Sequence, residues 1–160
     1  MKNKQKKHTA DLTQSSQPIQ SPAAHEKMHP ALAAAISRGE IAKRRMAASD
    51  GGAFSCAEVS RLLGITQAAV MHRWRKHRLV GWPAGKVVYF PVWQFCGGRM
   101  LAGIEQVLQI FCSHDCWRIM LYFLATRRSL DRQRALDLLL RGETETVITH
   151  AKNHMIANEW

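Results

Sequence analysis

A chain of 160 residues with 46% hydrophobic side chains can hold one ordinary domain or two small ones around a core. It has no apolar run near the roughly 20 residues of a membrane span, and its start, MKNKQKKHTADLTQSSQPIQ, lacks the apolar core of a secretory signal. The formal net charge of +11 points to a polyanionic partner.

The charge is uneven along the chain. Residues 1–50 hold nine Lys and Arg against four Asp and Glu, residues 51–90 six against one, and residues 91–160 eight against seven. The excess therefore lies in the first 90 residues, as a phosphate-neutralising surface requires. The C-terminal part is balanced and calls for a different partner. Cys56, Cys96, Cys112 and Cys116 fit reduced thiols in a cytoplasmic protein.

Residues 1–27 are rich in Lys, Gln, Ser, Thr and Pro and are expected to form a disordered basic tail, because they bury too little to offset the entropy of ordering. An N-terminal helix is expected within 28–50. Pro30 fits its first turn, Leu32, Ile36 and Ile41 give an apolar stripe, and Lys43, Arg44 and Arg45 suit its C-terminal end.

Residues 51–95 read as a winged helix-turn-helix. Ser55 and Glu58 have the spacing of a capping box, and Ala57, Val59, Leu62 and Leu63 recur at helical spacing before Gly64 stops the helix. Thr66 caps a second helix running to about His77, with Val70 and Trp74 facing inward. Its remaining surface carries Gln67, His72, Arg73, Arg75 and Lys76. Gln and Arg make bidentate contacts with base edges when such a helix lies in the major groove. Leu79, Val80 and Trp82 then read as a strand, Pro83-Ala84-Gly85-Lys86 as a turn, and Val87 to Phe90 as the returning strand. Thr66, Gln67, His72, Arg73, Arg75, Lys76 and Lys86 are the candidate DNA-binding residues, Lys86 standing at the wing tip.

Beyond the wing, residues 96–160 read as a helical bundle. Pro91 is expected to open a helix carrying Val92, Trp93, Phe95 and Met100, with a break or kink at Gly97-Gly98. Further helices are marked by Ile104 to Phe111, by Trp117 to Leu124, by Leu136 to Leu140, and by a stretch from Glu143 that buries Val147, Ile148 and Ala151. Arg127-Arg128-Ser129 reads as a polar turn. The fold class is thus mainly α: a winged helix-turn-helix with a small two-stranded wing, followed by a C-terminal bundle.

Other chemistry finds little support. Cys112 and Cys116, with His150 and His154, place two pairs of zinc ligands one helical turn apart, but the spacing differs from the usual C-x2-C and small core cysteines explain the first pair. No G-x-S-x-G, phosphate-binding glycine loop or H-E-x-x-H is present. Asp115, Asp131, Asp137, Glu143 and Glu145 are scattered over helix starts and faces. No enzyme, metal or cofactor is expected.

Phe90-Pro91-x-Trp93-Gln94-Phe95, then Gly98-Arg99-Met100-Leu101-Ala102-Gly103-Ile104, then Val107-Leu108 lead to Trp117 with Phe123-Leu124 and Leu130. They are followed by Ala135-Leu136-Asp137-Leu138-Leu139-x-x-Gly142-Glu143-x-Glu145-x-Val147 with Ala151. This series resembles the Xre/MbcA/ParS-type bacterial antitoxins with a C-terminal toxin-binding domain, with Ala135 in place of the usual Pro. The resemblance covers roughly residues 55–152, its helix-turn-helix closer to the MerR or excisionase type. It implies a type II antitoxin that neutralises a RES-domain, NAD-degrading toxin and represses its own operon. By position, Asn158, Glu159 and Trp160 would enter the toxin's cleft. The expected partners are operator DNA, the toxin, and a second copy or a larger toxin–antitoxin complex, with no membrane. The alternative is a stand-alone transcription factor, or a recombination directionality factor, whose C-terminal half only dimerises.

Overall fold

A computed structural model describes residues 30–111 and 115–157. The basic tail, Cys112, His114 and the terminal Asn158, Glu159 and Trp160 lie outside the described residues. Within them the chain is mainly helical, with seven α-helices and three small antiparallel sheets.

Helix α1 (Pro30–Ala48) forms where the sequence places it, but its apolar stripe is not buried: Leu32, Ile36 and Ile41 remain 54%, 50% and 49% exposed. The helix touches the body through its C-terminal turns. There Met46 and Ala47 pack against the larger core, and Lys43 Nζ lies 5.8 Å from the Trp117 ring centroid. Leu32 and Ile36 lie about three turns upstream on the same face, whereas Ile41 is on the opposite one. Just after α1, the Asp50 carboxylate accepts from Arg134 Nη1 at 3.0 Å, and Arg134 also grips Asp137 through Nε and Nη2. The Arg134 hydrogen bonds hold the Asp137 carboxyl below its ordinary pKa.

Strand β1 (Ala53–Ser55) leads into α2 (Cys56–Leu63) and α3 (Gln67–Arg75). β2 (Trp82–Ala84) and β3 (Val87–Pro91) follow, in a sheet of order β1-β3-β2. The expected two-stranded wing is therefore part of a three-stranded sheet, in which β1 pairs Phe54 with Phe90 and Ser55 with Tyr89. β2 also starts later than expected. Val80 satisfies its backbone elsewhere: its N–H donates to Gln94 Oε1 at 2.9 Å, and its carbonyl accepts from Gln94 Nε2 at 2.8 Å. Leu79 and Val80 thus enter the two cores instead of a ladder. Pro83 and Ala84 belong to β2, where an edge strand tolerates the missing proline donor.

No helix opens at Pro91. The residue ends β3, and a short 3-10 turn (Val92–Gln94) passes into a hairpin of β4 (Phe95–Cys96) and β5 (Arg99–Met100). Gly97 and Gly98 both have positive φ, as a tight two-residue hairpin loop requires. Trp93 and Phe95 separate: Trp93 packs on Phe123, with centroids 5.2 Å apart, and Phe95 on Phe54 at 6.0 Å.

The C-terminal half contains α4 (Ile104–Ile110), α5 (Cys116–Leu124), α6 (Ala135–Leu140) and α7 (Thr144–Ala157). It is not wholly helical. The expected polar turn is a second hairpin, β6 (Thr126–Arg127) with β7 (Gln133–Arg134), reversed by Asp131 and Arg132 in left-handed conformations. α6 ends as its sequence suggests: Glu143 N–H donates to Leu138 O and Gly142 N–H to Leu139 O, closing a Schellman motif around Gly142. Val147 and Ala151 are fully buried, Ile148 half-buried, and Leu140 is 54% exposed.

Gly103 caps α4 at φ +84°, where an added Cβ would sit 2.6 Å from Thr144 Cγ2 and 2.9 Å from Leu139 Cδ2. Gly103→Ala combines a left-handed strain with overpacking of the α6–α7 corner. We expect a loss of about 3 kcal/mol, read as a lower urea midpoint with an unchanged m-value.

The second hydrogen-bonded cluster of this half centres on His150. Its Nδ1 lies 3.0 Å from the Tyr122 hydroxyl and its Nε2 2.7 Å from Ser129 Oγ, so both ring nitrogens are engaged. Among the described residues, no three of His, Cys, Asp and Glu gather as a metal would need. Burial, then the positive charges of Arg127 and His154, lower the His150 pKa. The unfolded chain therefore takes up this proton first, and stability should fall as the pH drops through about 6.5, until the folded imidazole also protonates. Urea midpoints from pH 7.5 to 5 should show this slope, and His150→Phe should flatten it.

Candidate nucleic-acid interface

Helix α3 and its C-cap carry Arg73, Arg75 and Lys76 with no acidic residue among them, and the placement of the helix follows from local chemistry. Ser55 Oγ accepts from Glu58 N–H while the Glu58 carboxylate accepts from Ser55 N–H at 2.7 Å, a complete capping box at the start of α2. Those hydrogen bonds to Ser55 lower the Glu58 pKa. Gly64 ends α2 at φ +63°, and Thr66 starts α3 by accepting from Ala69 N–H at 3.2 Å. Ser60 Oγ donates to Ile65 O, tying the turn to α2. Val59 and Val70 meet in a small core with Leu79 and Phe90, fixing α2, α3 and the sheet together.

The other end of α3 is also held. His77 N–H donates to Trp74 O and Arg78 N–H to Arg73 O, a Schellman motif that places His77 in the left-handed region at φ +52°. The freed carbonyls of Lys76 and His77 accept from Gln109 Nε2 of α4 at 3.3 and 2.9 Å, and Arg78 pairs with Glu105 at 3.2 Å. The helix is thus clamped to the C-terminal half through its last turn.

Of the residues the sequence singles out, Thr66, Gln67, His72, Arg75, Lys76 and Lys86 are exposed. His72 and Arg75 share the outward face at positions i+4 and i+7 from Ala68. Arg73 departs from the set: it is half-buried, on the flank toward Val70 and Trp74 rather than beside Arg75. Lys86, following Gly85 in the β2–β3 turn, stands at the exposed hairpin tip. Sequence reasoning missed Ala68, which has no polar group to draw notice but occupies the first turn of the outward face. It also missed Gln109 and Glu105, whose partners are some thirty residues away in sequence.

In this arrangement α3 presents the imidazole of His72 and the guanidinium of Arg75 on its outward face, with the Gln67 amide at its first turn, where Cys56 Sγ of α2 donates to Gln67 O at 3.6 Å, and the exposed Lys86 at the hairpin tip. It can lay donors against a groove and cations against flanking phosphates.

No family model matches the chain, and no curated protein matches it. Among solved structures it is similar to the one titled "NMR structure of Rv2175c", with a TM-score of 0.58 and 21% identity over 67% of this chain and 83% of that chain. At that identity the likeness is one of fold.

Proposed function

We propose that this protein is a DNA-binding autoregulator in which α2, α3 and the β2–β3 hairpin act as a winged helix-turn-helix. α3 reads the major groove through Gln67, His72 and Arg75, while Lys76 and Lys86 hold phosphates. The observation carrying this reading is the capped, clamped α3 with its exposed cations, in a stretch of six Lys and Arg against one acidic residue. We further propose that the C-terminal half engages a protein, a RES-domain toxin, which makes the chain an antitoxin. Its support is the series from Phe90 to Ala151 that resembles the Xre/MbcA/ParS-type antitoxins, together with the near-balance of charge in residues 91–160.

Two measurements separate the parts. Fluorescence anisotropy on the DNA upstream of its own gene should show salt-sensitive, sequence-preferring binding, with deletion of residues 1–27 lowering affinity but not preference. Co-expression with the product of the adjacent gene should yield a stable complex and rescue growth. DNA binding without a complex would leave the alternative, a regulator whose C-terminal half serves assembly. No preference among DNA sequences would sink the reading of α3.

A further inference from the structure

A cavity of about 510 Å³ opens where the exit of α3 meets α5, in the size range of small-molecule sites. Its walls are the indoles of Trp74 and Trp117, with Leu79, Pro83 and Ile119 completing an apolar lining. Arg75 and His77 stand at its edge, and Lys43 approaches Trp117 from α1. One acidic residue lines it, Asp115, and that carboxylate is committed to capping α5 by accepting from Trp117 N–H at 2.8 Å. Lys43 is itself paired with Glu40 at 2.9 Å, which leaves the Arg75 guanidinium as the cation open to a ligand. Flat apolar walls beside a guanidinium recognise one class of ligand.

We infer that this cavity binds a planar aromatic molecule bearing a negative charge, and that its occupancy weakens the hold of α3 on DNA. The ring would lie among the indoles and Pro83, and the anion would meet Arg75 and His77. The second half of the inference rests on the proposed DNA reading. Arg75 is shared: its side chain is on the outward face of α3 and also borders the cavity. A ligand that engages its guanidinium withdraws a cation from phosphate or base. Coupling of this kind is reciprocal, so DNA must weaken the ligand by the same factor.

The probe is 8-anilinonaphthalene-1-sulfonate, followed by titration calorimetry on the full chain. One molecule should bind per chain, and the uncharged N-phenyl-1-naphthylamine should bind about tenfold more weakly, as loss of a charge-assisted contact predicts. Trp117→Leu should abolish binding. The pair Arg75→Gln and His77→Asn, in which Asn keeps the left-handed conformation, should weaken it by about tenfold while leaving thermal stability unchanged. Saturating probe should lower DNA affinity by about fivefold or more, and DNA should lower probe affinity equally. Non-stoichiometric binding, or binding indifferent to these substitutions and to the sulfonate, overturns the site. Stoichiometric probe binding with unchanged DNA affinity overturns the regulatory half alone. A chain that binds no DNA sinks the reading of α3, and the probe titration still decides the cavity.

Discussion

Replacing Arg75, Lys76 and Lys86 together by Ala is expected to reduce affinity for operator DNA by about a hundredfold at low salt, and, through the two lysines that hold phosphates, to lower the slope of log affinity against log salt by about two. The three side chains are exposed and lie on α3, its cap and the hairpin tip, so their removal leaves the core untouched. Each phosphate contact displaces condensed counterions, and a lost contact therefore shows as a shallower salt dependence as well as weaker binding. Arg73→Ala is the internal comparison. Its side chain is half-buried on the flank of α3, and it should cost less DNA affinity than Arg75→Ala. Anisotropy titrations at several salt concentrations decide both points; an unchanged slope in the triple variant would place the phosphate-binding surface elsewhere.

The second large effect concerns stability. Gln94 is fully buried, and its amide meets Val80 N–H, Val80 O and Pro91 O. Gln94→Met keeps the volume and removes the side-chain partners, leaving the Val80 N–H and C=O buried without hydrogen bonds while Pro91 O keeps the backbone bond of its 3-10 turn. An unsatisfied buried group costs about 1–3 kcal/mol, and part of the loss relaxes through local movement, so about 3 kcal/mol is expected in all. Thermal denaturation should show this as a drop of about 10 °C. Val80 lies between α3 and β2, so residual binding should also lose sequence preference before it loses salt sensitivity. A melting temperature within a degree or two of the parent would mean that water or a backbone shift restores these bonds.

What could be read from the sequence was governed by interactions of short range. The Ser55–Glu58 box, the Gly64 stop, the Thr66 cap and the Gly142 terminus each involve residues within a turn or two, and each appears where the spacing places it. The bounds of α1 followed from Pro30 in the same way. The errors lie where a distant partner decides. Val80 looks like a strand residue, and only Gln94, fourteen positions on, withdraws its backbone from the sheet. Pro91 fits a helix start as well as a strand end, and its pairing with Ala53 settles the matter. Leu32 and Ile36 make an apolar stripe whether or not anything covers them. On the candidate interface, residue type identified the donors, but type alone could not separate the outward Arg75 from the flanking Arg73.

The sharing of residues between the two cores bears on how the molecule can come apart. Val80, Trp82 and Trp93, all within the first 95 residues, are buried in the larger core with Phe123 and the C-terminal helices. Their neighbours Leu79 and Phe90 belong to the smaller one, and Met100 packs against both. A cut after Phe95 would strip two indoles of their cover while leaving the buried residues of the small core together. The halves differ in charge and in proposed partner, yet thermodynamically they are coupled. Loosening the C-terminal helices would uncover the floor beneath α3 and the hairpin, so the proposed grip on a nucleic acid would be underwritten by a part of the chain to which no such contact is assigned.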